Sequence, residues 1–419
     1  MIVTKRMDNG VTVVSERMEH VRSVSLGVWV DNGSVRERGM ELGASHFIEH
    51  MVFKGTETRS AEDIAVEMDA VGGNLNAFTS KECTCFYAKV LDEHLPVACD
   101  ILSDIVLRST FDAGELTKEC GVIVEEILMT EDSPEDLVAE TVNMLFFDRE
   151  PLATPILGTQ ETVKAFTRES LLAYKNAHYL PQNIVVACAG NFKEDELYAL
   201  VSEKFAMPKC DSSAPALNER YPGGMRKLYV EKDIEQVHIS LMLPGFARDD
   251  EGQYPLAVLS NIIGGSMSSR LFQSIREQRG LAYSIYSYPT AYTTTGTFAL
   301  YAGTGMAQAG EVVRLMLEEL DNIRNHGVTE AELVRCREQL KGSYLLGMES
   351  SGAHMNAIGK VRLLQKREYN EAETLSRIEC VKMEDIERIA GVCLDPANLT
   401  AAFVGRPEGK RAALDALPF

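Results

Sequence analysis

The stretch that most constrains this chain is His46-Phe47-Ile48-Glu49-His50, set inside the longer run Gly43 to Thr56. In a helix, His46 and His50 lie one turn apart on one face, with Glu49 beside them at the i+3 position. Two imidazoles at that spacing suit Zn²⁺, and an unligated carboxylate beside a metal can take a proton from bound water. Phe47, Ile48, Met51, Val52 and Phe53 make the same helix apolar. Titratable groups on a buried helix need partners or a metal, whereas on an exposed helix the cluster is only a polar face.

A third ligand is expected on a second helix. The run from Phe111 to Thr130 carries Glu115, Glu119 and Glu126 among Leu116, Val122, Ile123, Ile127 and Leu128. Seven residues are about 700° of helical rotation, so Glu119 and Glu126 share a face while Glu125 points about 100° away. Carboxylates on an inward-packing helix need a reason. His46, His50 and Glu126 as metal ligands, with Glu119 supporting them, supply one.

Taken together, the runs HFIEHMVFKGT and ECGVIVEEI resemble the pitrilysin, insulysin and mitochondrial processing peptidase family of zinc metallopeptidases. These are inverzincins, carrying the H-x-x-E-H form of the zincin helix. The likeness extends through most of the chain and is strongest to the single-length bacterial members. It implies a zinc endopeptidase acting on peptides or unstructured segments. His46, His50 and Glu126 would bind one Zn²⁺ per chain, with Glu49 as general base and Glu119 as a supporting acid. The resemblance also implies that Asn76, Ala77, Phe78 and Thr79, in GGNLNAFTSKECTCFYAKV, form an edge strand that pairs with substrate. An extended peptide satisfies such an edge's unpaired N–H and C=O groups with little dependence on side chains. Without the zinc motif the segment reads rather as an ordinary hairpin turn.

At 419 residues the chain exceeds one ordinary core, so two domains are expected. Forty-two basic against 62 acidic side chains give a net charge of −20, which argues against nucleic acid as a partner. Such a surface can steer basic peptides or simply keep the protein soluble. No apolar run approaches the roughly 18 residues of a membrane span, and the opening residues show no signal-peptide core, so a cytoplasmic protein is the simplest reading. Nine scattered cysteines form no disulfide framework, so reduced thiols are expected.

Along the chain, residues 11 to 30 read as a hairpin, with Val24, Leu26, Val28 and Val30 alternating with Ser25, Gly27 and Trp29. Helices are expected near 61–70, 93–109, 112–130, up to about 147, and 168–178, with strands near 83–91 and 183–190. The segment CDSSAPALNERYPGG, at 210–224, lacks apolar periodicity and reads as a linker. Beyond it the pattern restarts: Val237, Ile239, Leu241 and Leu243 alternate with His238, Ser240 and Met242. TTTGTFALYAGTG and VTEAELVRCREQLKGS echo the earlier TSKECTCFYAKVL and FDAGELTKECGVIVEE, with Cys336 opposite Glu119 and Ser343 opposite Glu126.

The expected architecture is therefore α+β, with two homologous domains, each a mostly antiparallel sheet with helices packed on one side. A zinc-binding domain spans 1–209, a linker 210–225, and a domain without metal 226–419. In the resembled family an Arg and a Tyr at the spacing of Arg276 and Tyr283 bind the substrate backbone from the opposing half. A half-length chain of this family implies a homodimer whose second subunit completes each site. The rival reading is a non-catalytic assembly subunit of the same fold, like the core proteins of respiratory complexes.

Overall fold

A computed structural model describes residues 2–210, 216–217 and 224–419, so most of the linker expected at 210–225 lies outside the described residues. The strands are β1 (Ile2–Arg6), β2 (Thr12–Arg17), β3 (Ser23–Val30), β4 (Asn74–Thr79), β5 (Thr84–Leu91), β6 (Ile184–Gly190), β7 (Arg226–Glu231), β8 (Gln236–Gly245), β9 (Ala282–Ala291), β10 (Gly296–Gly305) and β11 (Thr400–Gly405). The helices are α1 (Ala44–Met51), α2 (Ala61–Ala70), α3 (Leu95–Arg108), α4 (Ala113–Asp132), α5 (Pro134–Phe147), α6 (Gln160–Ala165), α7 (Arg168–His178), α8 (Glu194–Lys204), α9 (Gln253–Gly264), α10 (Ala309–His326), α11 (Glu330–Gly347), α12 (Ser351–Gln365), α13 (Glu371–Glu379), α14 (Met383–Cys393) and α15 (Pro407–Asp415). Among the described residues no helix is long and apolar enough to cross a membrane. The nine cysteines are unpaired thiols.

In the first unit the strands lie in the order β1-β2-β6-β3-β5-β4. The hairpin expected over residues 11–30 does not form. β6 sits between β2 and β3, parallel to the former and antiparallel to the latter. The cause is the composition of β6: IVVACAG is buried at every position, and only a central place in a sheet hides both its faces and both its edges.

Alternation along β3 sends Val24, Leu26, Val28 and Val30 into the main core beside Phe47, Ile48 and Met51 of α1 and Ile101, Leu102 and Ile105 of α3. The intervening residues are not solvated. Trp29 packs with Met355 and Ile358 of α12, which covers the sheet's second face. Small residues let that helix approach. A Cβ on Gly27 would lie 2.4 Å from Met355 Sδ, and one on Gly359 would lie 2.3 Å from Trp29 Nε1. Ser25 Oγ lies 3.0 Å from Ser351 Oγ, so the hydroxyls on this face satisfy each other.

The second unit repeats the pattern as β7-β11-β8-β10-β9, again with one parallel pair, β7 with β11. Val237, Ile239, Leu241 and Leu243 enter a core shared with α9, α10 and α14. On the other face α5 packs against β7, β8 and β11. Its Glu135 accepts a hydrogen bond from Tyr286, the neighbour of the inward Ile285.

The α+β class and the two related sheets thus stand, with a single helix added over each second face. Those helices also change the domain boundaries. The units are Met1–Ile127, Thr154–Ala216 and Leu345–Tyr369 on one side, and Leu128–Ala153, Leu217–Tyr344 and Asn370–Phe419 on the other. They depart from the contiguous division at 1–209 and 226–419 because α5, from the first half, serves the second sheet, while α12, from the second half, serves the first.

Gly359→Ala tests the close approach. In an exposed helix interior this change stabilises by about 1 kcal/mol. Here the clash with Trp29 reverses the sign, and chemical denaturation should show a loss of about 1–3 kcal/mol.

Candidate metal centre

Helix α1 buries Phe47, Ile48 and Met51 and thereby turns His46, Glu49 and His50 toward α4 and β4. The Nε2 atoms of His46 and His50 lie 3.6 Å and 3.5 Å from the same Glu126 oxygen. One donor atom from each of the three residues falls within 4.8 Å of the others. Tetrahedral zinc with bonds of about 2.1 Å holds its ligands about 3.4 Å apart, so the donor set fits this ion.

The electrostatics agree with that fit. Burial first, and the neighbouring His50 second, push His46 down to about 3, which keeps its imidazole neutral and able to ligate. His50 Nδ1 lies 3.0 Å from Glu119 Oε2, while the other oxygen of Glu119 lies 2.6 Å from Lys54 Nζ. Glu119 is buried, and Lys54 places a counter-charge against it. A carboxylate facing Nδ1 places the imidazole proton on that atom and leaves the Nε2 lone pair toward Glu126. His46 has no such support: its Nδ1 is buried without a hydrogen-bond partner among the described residues.

Glu49 is oriented from the sheet. Its Oε2 accepts a hydrogen bond from Thr79 Oγ1 at 2.5 Å. Burial raises its carboxyl above the ordinary value, the Thr79 bond opposes this, and the nearby Glu126 adds to the rise. Thr79 ends β4, the outermost strand of the sheet, which among the described residues pairs only with β5. The segment Asn76 to Thr79 is therefore an edge strand. Its Phe78 turns to the α12 side, 5.6 Å from Trp29.

The structure brings together His46, Glu49, His50, Glu119 and Glu126 in the first unit. Arg276 and Tyr283 belong to the second, where they stack on each other. The Arg276 guanidinium lies 4.7 Å from the ring centroids of both Tyr283 and Phe272. Arg276 lies in a π-helical turn, Phe272–Glu277, and Tyr283 stands 76% exposed at the start of β9. Cys336, opposite Glu119 in the repeat, is buried in apolar core, and Ser343 is exposed. Two contributors were missed in the sequence: Lys54, signalled only by the need of a buried Glu119 for a cation, and the hydroxyl of Thr79.

Residues 12–160 match the family model described as Insulinase (Peptidase family M16), and residues 165–340 match the Peptidase M16 inactive domain. The chain is 42% identical over 390 residues to the protein named uncharacterized zinc protease YmxG of Bacillus subtilis, covering 93% of this chain and 95% of that one. The chain belongs to peptidase family M16. A second M16 relative, named uncharacterized zinc protease SCO5738 of Streptomyces coelicolor, is 40% identical over 391 residues, covering 92% of this chain and 85% of that one. Among solved structures, a protease from Helicobacter pylori superposes with a TM-score of 0.90 at 22% identity, covering 97% and 99% of the two chains. An M16 inactive-domain protein from Pseudomonas fluorescens gives 0.90 at 18%, covering 97% and 98%. At those identities the likeness establishes the fold.

The chain Lys54, Glu119, His50 sets an expectation for metal affinity. Glu119→Ala should weaken zinc binding about 10–100-fold in competition with a chromogenic chelator. Lys54→Met should weaken it less, because the carboxylate remains but loses its counter-charge.

Proposed function

We propose that this protein is a zinc-dependent endopeptidase of the H-x-x-E-H class. The observation that carries the reading is the convergence of His46, His50 and Glu126 at zinc-ligand spacing with Glu49 beside them, held by Thr79 of an open sheet edge. Zinc bound there supplies Lewis acidity, polarising a peptide carbonyl and making water easier to deprotonate.

The chain's own residues do the rest. β4 takes an extended segment as an added strand, which fixes the scissile bond in register with the end of β4, where Thr79 and Glu49 meet. Glu49, made more basic by burial, takes a proton from the water as its oxygen bonds to the carbonyl carbon. It then gives that proton to the departing nitrogen as the C–N bond breaks. Tyr283 and Arg276 act on the substrate from an opposing subunit in a homodimer. The exposure of Tyr283 and its stacking against the Arg276 guanidinium support this role, since an accessible phenol can donate to a developing oxyanion. The cytoplasm, where thiols stay reduced, suits nine unpaired cysteines.

Cleavage of a quenched fluorescent peptide library tests this. Glu49→Gln should retain zinc and lose on the order of 10³-fold in kcat. A chelator should abolish the wild-type activity. With shared sites, Glu49→Gln and Arg276→Ala are each inactive, yet a subunit-exchanged equal mixture should recover about a quarter of wild-type activity, since half the dimers carry one intact site. Zinc binding without any cleavage that Glu49→Gln removes would leave the assembly-subunit reading in its place.

A further inference from the structure

The N-terminus of α1 has no cap of its own. Its N-cap position is Gly43, at φ 92°, with no side-chain hydrogen bond. No larger residue fits there, because a Cβ would lie 2.6 Å from Leu157 O. Left alone, the first amides of an eight-residue helix would be buried donors without acceptors.

Glu37 supplies the acceptors from outside the helix. Its Oε2 accepts from Gly43 N and its Oε1 from Ser45 N, both at 2.7 Å, and the residue is 1% exposed. Both oxygens accept, so the geometry is that of a carboxylate, whose charge the helix N-terminus favours. Burial pushes its carboxyl up to about 7, with the two amide bonds opposing. The surrounding contacts tie the same corner together. Asn32 Nδ2 donates to Ser45 Oγ at 3.0 Å, and Tyr174 OH donates to Asn32 Oδ1 at 3.1 Å. The loop bearing Glu37 is also laced to the turn after β4, through Ser34 N to Ser80 O and Val35 N to Lys81 O.

His46 follows the clamped Ser45 directly, and Thr79, which holds Glu49, precedes Ser80 directly. We infer that Glu37 is a positioning residue for the peptidase centre: by clamping Gly43 and Ser45 it fixes the rotation and tilt of α1, hence where the His46 and His50 nitrogens and the Glu49 carboxylate point. This rests on the zinc peptidase reading above. Nothing in the role requires Glu37 to touch substrate or metal.

The test compares Glu37→Gln, which keeps the size but turns one acceptor into a donor, with Glu37→Asp, which keeps the charge but is too short to reach both amides. Asp104→Asn serves as a matched control. Asp104 anchors a buried network with Thr56, Thr58, Arg59 and Arg108, and these hydrogen-bond partners all lie outside α1. Zinc affinity is read by chelator competition, kcat and KM on a fluorescent peptide, and stability by thermal unfolding. Glu37→Gln should lose about tenfold or more in both zinc affinity and kcat, and Glu37→Asp about threefold or more, with KM within about twofold in each. Asp104→Asn should lose stability while keeping kcat and zinc affinity within about twofold. If Glu37→Gln does not fold, Glu37→Asp decides. The inference is overturned if the Glu37 variants that fold keep zinc affinity and kcat within twofold of wild type, or lose no more of either than Asp104→Asn at equal loss of stability. Were the wild type to bind zinc and cleave nothing, the peptidase reading would fail by itself, and the affinity comparison would still decide whether Glu37 orients the ligands.

Discussion

The central strands of both sheets are buried on both faces, and everything else in this fold follows from that constraint. β6 and β11 are buried at every position, and β3 at all but its first. One layer of helices hides only half of such a strand. The remaining face needs another apolar element, and in each unit it is one helix drawn from the other half of the sequence. Once both faces are packed, the sheet is a rigid floor. Only then can β4 hold an open edge, and Thr79 a fixed hydroxyl, beside α1.

The candidate metal residues of α1 sit on a helix anchored from several sides. α1 is fixed by the core through Phe47, Ile48 and Met51, by Glu37 at its N-terminus and by Glu119 and Lys54 near its C-terminus. Each of those carboxylates is buried and would be costly alone. Glu37 is offset by amides and Glu119 by a lysine. The polar machinery is thus compensated locally, without recourse to solvent.

Much of this was legible in the sequence, for identifiable reasons. The i, i+3, i+4 spacing of His46, Glu49 and His50, and the seven-residue step from Glu119 to Glu126, are local periodicities that a helix converts directly into a shared face. The helices at Ala61–Ala70 and Arg168–His178 carried equally local signals. What was not legible is non-local. The strand between β2 and β3 lies far along the chain, so the hairpin expected there was replaced by β6. Helices were expected on one side of each sheet only, because Ser25 and Gly27 do not by themselves announce the helix that covers the other side. Glu37, in the charged run Arg36-Glu37-Arg38, reads as surface. Its only trace was a helix beginning at glycine with no residue able to cap it.

The exchange of helices has a consequence in time. Synthesis runs from the N-terminus, so the strands of the first sheet and every residue of the metal centre leave the ribosome well before α12 does. Until then Trp29, Cys85 and Ala187 line an uncovered apolar face, and the floor beneath α1 is packed on one side alone. The nascent chain therefore carries the candidate ligands early but completes their support late. A protein assembled in that order gains its full structure only when most of its length has been made.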